Sequence, residues 1–353
     1  MSLITPINSF AGCRDTARPM ARVDNVKQAA QDFRRDMLAR PKVRYYQSFE
    51  LVRVPYPSQY GYLNAFAGMS SYIHLVNRLF VIQFDSDDGL KTLLASPMDW
   101  ENQRDTPYFR RLIDRAGPAA PLQEALVTRK TSTVLEVLAD IGLRPQDIDY
   151  ITYDHMHTVN LQRWLGAHGQ PAMLPNAKLL IMRDEWDCAL GAVPWQSQWF
   201  CPHGLEGIAE EKLVFLDQDV MLGDGSVALV RTPGHTEGNH SIVAHTDDGL
   251  FVTSENGVSL DAYAPELSRI PRIAEYAKVT GAEVILNGNT QEQAVEQYIS
   301  MVQEKYIAGP SKLHEQVPNM ALSSESDGFW LFPGTQPSFR MGPLKFGTLQ
   351  KPA

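Results

Sequence analysis

A β-prone run, residues 150–153, stops abruptly at Asp154, and two histidines follow one residue apart, His155 and His157. Residues two apart in an extended segment face the same side. Two imidazoles placed so can converge on one metal ion, each offering a neutral ring nitrogen. His-x-His alone is a weak signal, because unrelated loop histidines share that spacing. Its surroundings sharpen it. Strand-like runs at 227–230, 250–253 and 283–286 also end in polar loops: Thr232-Pro233-Gly234-His235-Thr236, Ser254-Glu255-Asn256-Gly257 and Asn287-Gly288-Asn289.

The remaining elements alternate between strand and helix patterns. Asn25 is placed to cap a helix over residues 26–39, which ends before Pro41. A strand is expected at 45–54, followed by a tyrosine-rich loop at 55–62. Three short strands at 69–76, 79–84 and 91–96 would form a meander, with Asn77-Arg78 as one of its turns. Thr133 and Glu136 have capping-box spacing ahead of a helix that Gly142 would terminate. Further helices are expected at 161–165, from 183, at 270–279 and at 292–305, with a strand at 178–182. Residues 309–353 are rich in Pro, Gly and Ser and carry Phe329, Trp330 and Phe332. Such aromatics in a tail find a surface, on the body or on a partner subunit.

Composition narrows the classes. The chain has 353 residues and a net charge of −9, which disfavours a nucleic-acid partner. No apolar run reaches the roughly 18 residues of a membrane span, and no basic and apolar leader opens the chain. Cys13, Cys188 and Cys201 are three in number without CxxC spacing, the usage of reduced cytoplasmic thiols. No Gly-x-Ser-x-Gly elbow and no phosphate-cradling Gly-x-x-x-x-Gly-Lys loop is present.

The order of the stretches 142–149, His155-Met156-His157, Thr232-Pro233-Gly234-His235-Thr236, 250–255 and 285–289 resembles the metallo-β-lactamase-fold hydrolases. The glyoxalase-II-like and lactonase-like branches come nearest in the Thr-Pro-Gly-His-Thr motif. The resemblance covers residues 45–308, leaving 1–44 as an N-terminal extension with a helix and 309–353 as a tail. It implies an α/β fold, the four-layer αβ/βα sandwich, with a metal site along one edge at the strand ends. It also implies a metal-dependent hydrolase acting on an ester, lactone, amide or related small molecule through a hydroxide generated at the metal.

The departures from the family pattern are concentrated. The family's His-x-His-x-Asp-His has Val159 and Asn160 at its last two positions here, the bridging aspartate becomes Glu255, and the final histidine becomes Asn289. The residues matching one metal site, His155, His157 and His235, survive, while those of the second do not. Valine cannot ligate, and an amide oxygen is a poor zinc ligand beside imidazole. The expectation is one divalent metal, zinc first and iron or manganese as alternatives, held by the three histidines with Glu255 as a fourth ligand or a general base. Asp154 is the other candidate base, with an orienting hydrogen bond as its alternative. Asn160 and Asn289 would fill the emptied site and meet water or substrate. His240 is expected behind the ligands rather than among them, and His203 and Tyr263 are candidate pocket residues. Two other readings stand beside the hydrolase: a mononuclear iron oxygenase of the persulfide-dioxygenase type, and an inactive metal- or ligand-binding member. A cytoplasmic enzyme, with a homodimer as an option and no membrane partner, completes the expectation.

Overall fold

The computed structural model describes residues 3–351. Its largest sheet is built on the hairpin of strands Tyr45–Pro57 and Tyr72–Ser86. Successive side chains of a strand point to opposite faces, and here both faces are apolar. Phe80, Ile82 and Phe84 enter one buried cluster, while Leu79 and Val81 enter another. Strand Lys178–Met182 divides the same way, Leu180 and Met182 to one side and Leu179 and Ile181 to the other. A sheet buried on both faces requires a layer on each side.

That sheet has nine strands among the described residues. Its path runs Lys345–Gly347, Tyr45–Pro57, Tyr72–Ser86, Gly89–Ala95, Tyr150–Thr152, Lys178–Met182, Leu213–Leu216. The first four are antiparallel neighbours, and the last four pair in parallel. Parallel neighbours need crossover connections, usually helical. Helices Val134–Ile141, Leu161–Leu165 and Arg183–Leu190 lie in these connections. Val134, Val137, Leu138, Leu161 and Trp164 bury against the outer face of the sheet.

The second sheet is antiparallel and, among the described residues, five-stranded, in the order Ile4–Pro6, Val220–Leu222, Val227–Arg231, His240–Thr246, Gly249–Thr253. Helix Pro19–Leu38 packs against helix Ala294–Ala308 beside this sheet. It buries Val23, Val26, Ala30, Phe33 and Met37, a stripe at helical spacing. Full burial of each large side chain contributes roughly 1.5–3 kcal/mol. The result is helix, sheet, sheet, helix, as expected from the sequence.

Several elements differ from the sequence expectation. The first helix begins at Pro19, whose ring presets the helical φ at the first position, and Asn25 lies inside it with its amide on the Cys13 carbonyl. Asn77-Arg78 is not a turn. Strand Tyr72–Ser86 runs straight through it, because Arg78 is buried against Glu325 at 2.7 Å and Asn77 pairs with Ser324. Residues 283–286 form no strand, and the segment passes as irregular chain beside Ala262. The tail is part of the body, since Ser324–Asp327 pairs with Tyr72–Ser86 and Lys345–Gly347 with Tyr45–Pro57. Cys13, Cys188 and Cys201 are free thiols. No helix among the described residues is long and apolar enough to cross a membrane.

Candidate metal centre

Strand Tyr150–Thr152 ends before the histidines, so His155 and His157 project from a loop rather than from extended chain. Contacts from distant residues shape that loop. Thr158 takes a positive φ of 59°, and its N–H donates to the Trp199 carbonyl at 2.6 Å. The Met156 N–H donates to Glu185 Oε1 at 2.6 Å, and Thr236 Oγ1 donates to the other oxygen of the same carboxylate. Buried Glu185 therefore clamps the His155–His157 loop to the His235 loop. The second loop needs its glycines for close approach. A Cβ on Gly234, at φ 153°, would stand 2.2 Å from Gln297 Cα, and one on Gly238 would stand 1.9 Å from the Glu185 nitrogen.

The three histidines converge. Their donor nitrogens lie within 4.8 Å of one another, and all three residues are buried. Nδ1 of His157 is 3.1 Å from Nε2 of His235. Ligand nitrogens about 2.0–2.1 Å from one tetrahedral zinc stand roughly 3.3 Å apart, so this spacing fits a shared ion. Glu255 faces the same space, with Oε2 3.8 Å from His155 Nε2 and Oε1 4.0 Å from His235 Nε2. Among the described residues, this is the one group of three or more His, Cys, Asp or Glu donors that converges.

Electrostatics fits a cation. Burial, reinforced by the charge on His155, pushes His157 and His235 well below the ordinary histidine value. Both therefore offer lone pairs at neutral pH. His155 behaves oppositely: burial acts to lower it, but Asp154 and Glu255 carry it up to about 9. A proton thus supplies the positive charge that these carboxylates call for, and a bound divalent ion would supply it instead. Burial raises Glu255 to about 7, against the pull of His155.

Asp154 lies behind the three histidines. Its Oδ2 makes an ion-pair contact with His155 Nδ1 at 3.3 Å, on the ring edge opposite the nitrogen that faces Glu255. Ser96 and Ser323 hydroxyls donate to its two oxygens at 3.2 and 2.8 Å. A carboxylate so placed would orient His155 toward an ion shared by the three rings. His240 is one step further back. Its Nε2 is 3.2 Å from Thr152 Oγ1, its N–H donates to the Asp154 carbonyl, and burial lowers its ring to about 4.

Of the second-site positions, Val159 is buried in the apolar cluster with Met156, Leu161 and Trp164. Asn160 caps helix Leu161–Leu165, its Oδ1 accepting from the Gln162 N–H at 3.1 Å. Asn289 is half-buried, and its carbonyl accepts from Gln196 at 2.8 Å. Asn287 stands nearer the histidines, with Nδ2 3.3 Å from His235 Nδ1 and 3.2 Å from the Glu255 carbonyl. Tyr56 donates to its Oδ1 at 2.6 Å. Nothing in the local sequence around Asn287 or Glu185 marks either as a site residue. The one available signal was that each follows an apolar run.

A cavity of about 670 Å³ opens on His157, between Trp195, Gln196, Phe200 and Thr236. That is the size of a small-molecule site. Beside it, Tyr56, Tyr60 and Tyr108 gather on Trp199 with ring centroids 5.7, 6.1 and 4.6 Å away. The segment expected as a tyrosine-rich loop is instead the end of strand Tyr45–Pro57, with Tyr56, and a one-turn helix Ser58–Gly61, with Tyr60; both rings meet Trp199 next to His157, whose ring centroid is 4.8 Å from Phe200. His203 is not on the cavity wall: it is exposed, at a φ of 60°, and pairs with Glu206 at 2.8 Å. Tyr263 is buried away from the cavity and donates to Glu304 at 2.6 Å. Glu304 accepts from Asn256, whose Oδ1 takes the His235 N–H, so Tyr263 supports the His235 loop from behind.

Comparison with known proteins supplies the family context. A probable metal-dependent hydrolase from Staphylococcus aureus superposes over 73% of this chain and 83% of its own, with a TM-score of 0.51 and 15% identity. This is the metallo-β-lactamase fold. A dizinc quorum-quenching lactonase covers 88% of this chain at a TM-score of 0.49 and 14% identity. In sequence, an N-acyl homoserine lactonase of Bacillus thuringiensis is 27% identical over 158 residues, 41% of this chain. The match spans little more than half of that relative, 57% of its length. No family profile matches the chain. Within the metallo-β-lactamase fold, the His155, His157 and His235 loops follow strands Tyr150–Thr152 and Val227–Arg231, one from each sheet.

Proposed function

We propose that this chain is a metal-dependent hydrolase that opens a lactone or cleaves an ester of a small molecule, using one divalent ion. The observation that carries the reading is the meeting of three buried imidazoles, two of them held neutral, with a carboxylate facing them. His155, His157 and His235 would hold the ion, with zinc the first candidate for a three-imidazole set. When bound, such an ion activates water near neutral pH and polarises a carbonyl oxygen.

The chain's own residues do the rest. Asp154 and Asn287 hold His155 and His235 in orientation from behind. Glu255, buried and poised near neutrality, takes a proton from the attacking water at its carboxylate and returns it to the leaving oxygen. Phe200 and Trp199 pack on the His157 ring from the cavity side and hold its orientation. Val159 and Asn160 are engaged in core packing and helix capping, which supports a single ion. The relatives named as lactonases, matched over part of their length, favour a cyclic or simple ester as substrate. Three free thiols are in keeping with a reducing cytoplasm.

The test is turnover of a panel of lactones and aryl esters by zinc-reconstituted protein. Hydrolysis abolished by a chelator, restored by zinc and reduced at least 100-fold in His235→Ala is expected. Undiminished turnover in His235→Ala would overturn the proposal.

A further inference from the structure

The segment before residue 45 lies outside the metallo-β-lactamase resemblance, yet its Arg14 reaches helix Ala294–Ala308 on the face that meets the His235 loop. The guanidinium spans three side chains of that helix. Nη1 donates to Glu296 Oε2 at 2.8 Å, and Nη2 donates to Ser300 Oγ at 2.9 Å and to Gln303 Oε1 at 2.8 Å. Residues three and four apart are neighbours on a helix, so positions 296, 300 and 303 form one stripe. Ser300 and Gln303 are buried. Charge alone would make this a packing contact, since Arg22 pairs with the same Glu296.

The direction of the hydrogen bonds sets Arg14 apart. A serine hydroxyl has a single hydrogen, and that of Ser300 goes to the Pro233 carbonyl at 2.6 Å. Without the Arg14 donor, the same hydroxyl is free to turn to the carbonyl four residues earlier in its own helix. Gln303, its oxygen occupied by Arg14, turns its amide nitrogen to the Arg231 carbonyl at 3.4 Å. A primary amide can present either end, so Arg14 also fixes which end faces the loop. The two carbonyls so held flank Thr232, at the exit from strand Val227–Arg231 and just ahead of His235. Between them and His235 lies Gly234, so close to the same helix that a Cβ there would stand 2.2 Å from Gln297 Cα. Helix and loop are thus packed as one unit, and the His235 ring at its end stands 3.1 Å from His157.

We propose that Arg14 is a positioning residue of the three-histidine cluster: through Ser300 and Gln303 it orders the backbone that places the His235 ring opposite His157. The N-terminal segment is then part of the scaffold of the site. The consequence for metal affinity rests on the metal-dependent reading above; the ordering of the His235 loop does not.

The experiment therefore has two arms on the full chain. The first follows amide hydrogen exchange by mass spectrometry, without metal, in peptides covering residues 231–240. Arg14→Met is expected to speed exchange there by about 10-fold, the scale of one hydrogen bond lost to local opening. Arg22→Met, which removes an ion pair to Glu296 but no bond to Ser300 or Gln303, should leave that peptide unchanged. Arg14→Lys keeps a charge beside Glu296 and drops the planar fork; it should speed exchange as Arg14→Met does, and it decides the matter if Arg14→Met does not fold. Unchanged exchange in the Arg14 variants, or equal acceleration in Arg22→Met, would overturn the proposal. The second arm measures zinc affinity by chelator competition. Arg14→Met and Ser300→Ala should each weaken it by about 10-fold, the low end for groups that support a ligand histidine. The double variant should be no weaker than Ser300→Ala, because the two residues act through one chain of bonds. Full affinity in Arg14→Met, or losses that simply add, would overturn the proposal. A wild-type protein that binds no zinc would defeat the metal-dependent reading, and the exchange arm would still decide the role of Arg14.

Discussion

The Ser323 hydroxyl donates to Oδ2 of Asp154 at 2.8 Å, which brings the C-terminal segment to the back of the three-histidine cluster. The same carboxylate oxygen faces His155 Nδ1. Partners behind a ligand histidine typically change metal affinity 10–100-fold when removed. Ser323→Ala leaves Ser96 on the other oxygen, so a loss near 10-fold is expected in zinc affinity measured by chelator competition. An unchanged affinity would show that Asp154 is held without the tail.

Arg78 and Glu325 form a buried ion pair at 2.7 Å that fixes the same segment to the large sheet. Removing one partner strands the other charge in the interior, which costs about 3–5 kcal/mol. Arg78→Met should lower stability to urea by that order. Arg78→Met/Glu325→Leu should recover most of the loss, since no unpaired charge remains. A double variant no more stable than the single one would contradict this account.

Asp219 is buried, and burial raises its carboxyl to about 6 from its ordinary value near 3.8. The folded state therefore binds this proton more tightly than the unfolded state. Its favourable contribution is complete below about pH 4 and is lost as pH rises through about 6. Asp219→Asn keeps an oxygen for the Arg231 N–H, now 2.7 Å from Oδ1, and removes the titration. The variant's advantage should be small at pH 4 and grow to on the order of 3 kcal/mol above pH 6. Urea midpoints at both pH values check this, and an advantage that does not change with pH would contradict it.

Local chemistry made part of this structure readable in the sequence. Thr133 and Glu136 form the capping box that their spacing implies, and Gly142 closes that helix in the left-handed conformation. His155, His157 and His235 meet as their motifs imply, although the first two sit on a loop rather than a strand. What stayed hidden depends on contacts between residues far apart in the chain. Asn77-Arg78 looks like a turn until Glu325 and Ser324 supply its partners. Glu185 looks like the first turn of a helix, and only the fold shows it joining two histidine loops. Asn287, two residues before the position that the sequence pattern indicated, is the amide beside His235 because the 283–286 segment is not a strand and sets a different register.

The claim on which the functional reading depends is a single ion on three histidines. Elemental analysis of protein purified without chelator tests it directly. About one zinc-type metal per chain is expected, falling to near zero in His157→Ala and His235→Ala. Two metals per chain, or the same content in His235→Ala, would contradict it.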